Sequence, residues 1–289
     1  MTPPPRPDVT GIFDPATNTV SYIVADPQTG KAAIIDPVLD YDAASARTST
    51  TSVDRLLEII TSRDLELVLA LDTHAHADHL TGAHELRLRT SVPIGIGAHI
   101  DRVQKVFAPL FAADDVKPDA SAFDVTYGDG DRFALGDLQV EVIHTPGHTP
   151  ACVSYRIGDA VFVGDTLFMP DYGSARCDFP GGDARTLYRS IQKILSLPDD
   201  TRVFVGHDYL PEGRSDYLWE STVATQKARN IHIAEKNEDQ FVAMREARDA
   251  TLSAPRLILP SLQVNIRAGR MPPAEQDGRR FLKLPLNVI

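Results

Sequence analysis

Three histidines and an aspartate fall within six residues in Thr73-His74-Ala75-His76-Ala77-Asp78-His79, directly after the apolar run Leu65-Glu-Leu-Val-Leu-Ala-Leu71. A run of that length and composition reads as a mostly buried strand, so the cluster sits where a rigid strand hands over to a loop. Imidazole and carboxylate are the ligand types that hold zinc, iron and related ions, and the intervening alanines leave room for several of them to turn toward one point. A structural segment has no need of such a density. Any one of these histidines alone would more often be a satisfied core or surface residue.

The same punctuation recurs in Thr145-Pro-Gly-His148-Thr, in Val163-Gly-Asp165-Thr and in Val205-Gly-His207-Asp, each placing a ligand-type residue just past a strand. Loops leaving a shared sheet can converge on one site. The strands themselves are read from β-branched runs bounded by turn residues: Thr19 to Ala25 and Lys31 to Asp36 as a hairpin, then Val92 to Ile96, Leu138 to Ile143, Ala151 to Ile157, Asp159 to Val163 and a last one over Thr201 to Val205. Helices are expected from Ser52 as N-cap, over Ala83 to Arg89, after Asp183, and between Ser221 and Leu252. An Asp-rich connection is expected over Ala113 to Asp124. Two rounds of strand followed by helix predict an α/β protein, an α/β/β/α sandwich over residues 1–215 with residues 216–289 as a C-terminal helical extension packed on it.

Composition narrows the function. A formal net charge of -11 repels phosphate backbones and disfavours nucleic acid as partner, while leaving room for a small anionic substrate held by a few arginines. Two cysteines, Cys152 and Cys177, in separate segments argue against a disulfide scaffold, and both are read as packing residues. The start Met1-Thr-Pro-Pro-Pro-Arg-Pro7 has no apolar run that could serve as a signal, and no stretch is membrane-length, so a cytoplasmic location without a membrane partner is expected. A homodimer is left open.

His74-x-His76-x-Asp78-His79, followed by His148, Asp165 and His207 in that order, resembles the signature of the metallo-β-lactamase superfamily, from the N-terminal hairpin through His207. The signature is specific for fold and weak for substrate, since the superfamily includes glyoxalase II, lactamases, nucleases, flavodiiron proteins and persulfide dioxygenases. His76 stands where flavodiiron proteins usually carry a glutamate. Gly173-Ser-Ala-Arg176-Cys177-Asp178-Phe179, His207-Asp208-Tyr209, and the tail with Ser221-Thr-Val and Lys227-Ala-Arg-Asn230 resemble the persulfide dioxygenases, most closely their bacterial β-lactamase-like hydrolase subgroup. That resemblance implies a single Fe(II) held by His74, His148 and Asp165, with glutathione persulfide oxidised by O2 to sulfite and glutathione. His76, Asp78, His79, His207 and Asp178 would then orient the ligands. Asp78, Arg176 and Asp178 are the expected catalytic residues. Arg176 and Tyr209 are the expected substrate contacts, Arg176 because a guanidinium can grip a carboxylate with two hydrogen bonds, its plainer alternative being a salt bridge to Asp171 or Asp178. The alternative activity is that of a glyoxalase II, cleaving a glutathione thioester at a dinuclear site, zinc for example. His74, His76 and His148 would hold one ion, Asp78, His79 and His207 the other, and Asp165 would bridge. A sensing or scaffold role without turnover is disfavoured by the intact ligand set.

Overall fold

The computed structural model describes residues 6–287; residues 1–5 of the proline-rich leader lie outside it. The chain opens with β1 (Asp8–Asp14), β2 (Thr19–Ala25), β3 (Lys31–Ile35), β4 (Val38–Asp42), β5 (Arg47–Ser49) and α1 (Thr51–Ser62). Then come β6 (Glu66–Leu71), β7 (Leu80–Thr81), α2 (Ala83–Thr90), β8 (Ile94–Gly97), α3 (Ile100–Leu110) and β9 (Val125–Tyr127). The second half supplies β10 (Arg132–Leu135), β11 (Leu138–His144), β12 (Val153–Ile157), β13 (Ala160–Phe162), α4 (Ala184–Leu195), β14 (Arg202–Phe204) and β15 (Glu220–Thr222). Helices α5 (Val223–Arg229), α6 (Glu238–Asp249) and α7 (Ile258–Asn265) follow.

Two six-stranded sheets, ordered β1-β2-β3-β6-β8-β9 and β10-β11-β12-β13-β14-β15, pack face to face. The period-two alternation of side chains along each strand explains why. In β2, Val20, Tyr22 and Val24 enter the core between the sheets together with Tyr155, Phe162 and Phe204, while Ile23 and Ala25 point the other way into a core shared with α1, α2 and α3. In β13 and β14, Phe162 and Phe204 face inward, and Val161 and Val203 face outward against Leu187, Ile191 and Ile194 of α4. Strands covered on both faces read as continuous apolar runs, as Thr19 to Ala25 does. Each such Ile or Leu contributes about 1.5–3 kcal/mol by leaving water. This is the expected α/β/β/α sandwich, with helices on both outer faces.

Local differences from the sequence reading have physical causes. Helix α1 starts at Thr51 after Thr50, because the carboxylate of Asp40 accepts from Ser52 N at 2.9 Å and Ser52 Oγ at 2.7 Å and so caps the helix from a distance. The strand over Thr201 to Val205 is not the last: β15 pairs with β14 antiparallel, and Thr222 then caps α5 by accepting from Thr225 N at 3.1 Å. None of the helices of the described residues is long and apolar enough to cross a membrane.

Candidate metal centre

The candidate ligands leave the sheets at one edge. His74, His76, Asp78 and His79 follow β6 of the first sheet, whereas His148 follows β11, Asp165 follows β13 and His207 follows β14 of the second. Gly147 lets the turn before His148 lie on α4: it has φ +135, and a Cβ there would stand 2.4 Å from the backbone of Leu187. Gly164, with φ +47, brings the turn before Asp165 against Thr73 in the same way.

Among the described residues three groups of donor atoms result, each within 4.8 Å of one another: His74, His148 and Asp165; His76, Asp78 and His207; and Asp36, Asp72 and His76. His79 donates from Nδ1 to Asp78 Oδ2 at 3.0 Å. All five imidazoles are buried. Their outer nitrogens are fixed by acceptors. Asp36 accepts from His76 Nε2 at 2.9 Å, the Asn18 carbonyl from His207 Nδ1 at 3.2 Å, and the Arg176 carbonyl from His148 Nδ1 at 2.8 Å. The Thr73 hydroxyl gives its proton to Asp36 at 2.9 Å and can therefore only accept from His74 Nδ1 at 3.0 Å. The rings of His74, His76, His79 and His148 thus turn a lone pair inward, while His207 Nε2 faces the carboxylates of Asp165 at 3.3 Å and Asp78 at 3.5 Å.

The inward atoms His74 Nε2, His76 Nδ1, His79 Nε2, His207 Nε2 and Asp165 Oδ1 are buried without a hydrogen-bond partner. Leaving such atoms unmet costs about 1–3 kcal/mol each. A set of converging lone pairs and a carboxylate calls for a cation, so the residues fit a metal ion. Burial and then neighbouring imidazoles hold His74 and His76 well below the ordinary histidine range, which keeps those lone pairs free. At His207 burial works downward, but Asp165 and Asp78 outweigh it and raise its affinity for a proton. Asp78 lies well below its ordinary value, burial being overcome by His207 and His79.

A cavity of about 330 Å³ opens over Asp78, His148 and Asp165. One wall is aromatic: Tyr209 stacks on His207 with centroids 5.6 Å apart and on Tyr172 at 4.9 Å, with Phe168 edge-on at 5.7 Å. Arg176 lines the cavity, and three of its N–H groups are engaged, Nε and Nη2 on Asp178 and Nη1 on the Ser253 carbonyl. Asp171 pairs with Arg214 instead. Arg248 and Arg256, which the sequence reading passed over, also line it and have no ion-pair partner among the described residues; Arg248 lies over the Tyr172 ring. Cys177 and Cys152 are buried, with burial pushing both thiols up, Cys152 to about 12, as packing residues require. Asp36, Thr73 and Asn265 also escaped the sequence reading. Asn265 Nδ2 donates to the carbonyls of His76 and His79, both at 2.8 Å, and its Oδ1 accepts from Thr81 N at 2.8 Å.

Comparison with known proteins agrees with this geometry. A probable metallo-hydrolase of Burkholderia pseudomallei is 53% identical over 97% of this chain and 99% of its own length. Glyoxylase B2 of Dictyostelium discoideum is 50% identical over 94% of each chain. A β-lactamase hydrolase-like protein of Xylella fastidiosa is 50% identical over 98% of this chain, which spans only 65% of that protein's length. The human mitochondrial persulfide dioxygenase ETHE1 is 31% identical over 91% of this chain and 89% of its own. The crystal structure of ETHE1 from Myxococcus xanthus superposes with a TM-score of 0.73 at 32% identity, covering 91% of this chain and 100% of that one. The family model of the metallo-β-lactamase superfamily matches residues 14–207, the stretch that carries every candidate ligand, and the chain belongs to that superfamily of metal-dependent enzymes.

Proposed function

We propose that this protein is a sulfur dioxygenase that oxidises glutathione persulfide with O2 to sulfite and glutathione, using one Fe(II) held by His74, His148 and Asp165. The observation that carries the reading is the convergence of two imidazoles and one carboxylate within 4.8 Å, the donor set of non-haem iron oxygenases, beneath a cavity of about 330 Å³. Fe(II), when bound, supplies the redox chemistry that lets O2 react with a persulfide sulfur. The chain supplies the rest. Arg176's carbonyl fixes the His148 ring; Phe168, Tyr172 and Tyr209 keep water from the reacting sulfur; and Arg248 and Arg256 offer charge to the substrate's carboxylates. His207, held between Asp78 at 3.5 Å and Asp165 at 3.3 Å, orients the Asp165 carboxylate. Residues 1–215 form the catalytic core in this reading, and residues 216–289 form an extension that completes the cavity.

The second group, His76, Asp78 and His207, favours a second reading, a dinuclear glutathione thioester hydrolase with Asp165 bridging, and the likeness to Glyoxylase B2 supports it. An oxygen electrode separates the two. Iron-loaded protein given glutathione persulfide should consume O2 and release sulfite in proportion, whereas rapid anaerobic cleavage of S-lactoylglutathione without persulfide-dependent O2 uptake would overturn the dioxygenase reading. One iron per chain agrees with the first reading and two ions per chain with the second.

A further inference from the structure

The loop that carries Arg176 takes four of its hydrogen bonds from residues far downstream. Asn230 Nδ2 donates to the Gly173 carbonyl at 2.9 Å, Ser174 N donates to His232 Nδ1 at 3.0 Å, and Arg245 Nη1 donates to the Ser174 carbonyl at 3.1 Å. Cys177 N donates to Asp249 Oδ2 at 2.8 Å. Arg245 and Asp249 are an ion pair on one face of α6, Nη2 to Oδ1 at 2.6 Å and Nε to Oδ1 at 3.0 Å, and they are only 1% and 7% exposed. Between the Ser174 carbonyl and the Cys177 N–H, the two backbone groups bound by this pair, lies the Arg176 carbonyl that accepts from His148.

A buried ion pair is weak evidence for stability, because two charges must be stripped of water to form it, and apolar residues of like volume often serve as well. Here each partner keeps a second hydrogen bond for one backbone group of the same loop. That is the expected design where outer groups orient a ligand rather than bind the ion. We propose that Asp249, paired with Arg245, is a positioning residue for His148: it fixes the Arg176 carbonyl through Cys177 N–H, and the carbonyl in turn holds the proton of His148 on Nδ1 and leaves Nε2 free. The proposal rests on His148 being a metal ligand.

The test uses the full chain and two variants without an unpaired buried charge. Arg245→Gln/Asp249→Asn keeps an acceptor for Cys177 N–H; Arg245→Gln/Asp249→Leu removes it at similar volume. In metal-free, histidine-¹⁵N-labelled protein, ring nitrogen shifts report which nitrogen carries the proton, the His148 signals being identified by their loss in His148→Gln. Competition with a chelator gives the affinity for Fe(II). The parent and the Asn variant should hold the Nδ1–H form, while the Leu variant shifts toward Nε2–H and binds Fe(II) about 10–100-fold more weakly. A parent protein with its His148 proton on Nε2 overturns the proposal, with no variant needed. So does a folded Leu variant that matches the Asn variant in both tautomer and affinity. A tautomer shift in a protein that binds no metal would uphold the positioning and sink the ligand reading instead.

Discussion

Arg176 and Asp178 face each other two-on-two, Nε to Oδ1 at 2.6 Å and Nη2 to Oδ2 at 2.5 Å. The pair braces the loop whose carbonyl holds His148. Its side chains are 21% and 37% exposed, so it should contribute only about 1 kcal/mol to folding. A lysine cannot reproduce the fork. Arg176→Lys is therefore expected to leave thermal unfolding nearly unchanged while kcat/KM for persulfide falls about 10–100-fold, since a small misplacement near the chemistry can cost about 100-fold. A large drop in melting temperature with kcat/KM intact would assign the pair to folding alone.

Ligand and orienting residues should separate in metal content. His148→Ala and Asp165→Ala each remove one of three proposed donors, and protein purified without oxygen should then carry little iron. His207→Ala should keep most of its iron and lose about 10–100-fold in activity or affinity. Loss of one of two bound ions in His207→Ala would point to the dinuclear site.

Asn265 satisfies two carbonyls and one N–H of the ligand loop while itself only 2% exposed. Asn265→Ala leaves all three groups unmet, at about 1–3 kcal/mol each, and the urea midpoint should fall by the equivalent of about 3 kcal/mol or more. Asn265→Asp, close in shape, should do no better, since it sets a buried carboxylate against two carbonyls.

His232 lends a pH dependence. Burial, with Arg245, Arg248 and Lys236 nearby, pushes its value down to about 4, and its Nδ1 must stay unprotonated to accept from Ser174 N. The unfolded chain takes up that proton near pH 6.5, so it binds more protons than the folded protein between about 6.5 and 4, and stability falls as pH drops through that window, by at most about 1.4 kcal/mol per unit. Above about 6.5 the group contributes no slope. His232→Asn, which keeps an acceptor, should flatten denaturant midpoints measured from pH 7 down to 4.5, and an unchanged slope would exclude His232 as the cause.

The parts that were legible in the sequence are those whose signal is local. Thr19 to Ala25 is buried on both faces and reads as a strand, and β2 covers it fully. Asp183 stands where an N-cap belongs and accepts from Thr186 N at 2.7 Å. The ligand cluster announced itself because four donor residues, three histidines and an aspartate, crowd six positions. What escaped depends on distant partners. Helix α3 buries Gln104 among its apolar residues, where Nε2 finds the Ile266 carbonyl and Oε1 accepts from Ala120 N, so its stripe is broken by a polar residue. Helix α7 is buried nearly all round and shows no amphipathic face. Asn265 meets its partners 184 to 189 positions away, and no pattern near it could reveal that. Asp36 had a faint signal, a carboxylate ending an apolar strand just before Pro37.

The Asn265 clamp also orders events during synthesis. Every candidate donor, from His74 to His207, leaves the ribosome before Asn265 does, and chains begin to fold from the N-terminus as they emerge. A nascent chain can therefore stack both sheets and present all its imidazoles while the loop from His76 to Thr81 still lacks the side chain that ties it. The last turn of α7 is the latch, so the ligand loop reaches its final shape only after Asn265 has been made, 58 residues beyond the last candidate donor, His207.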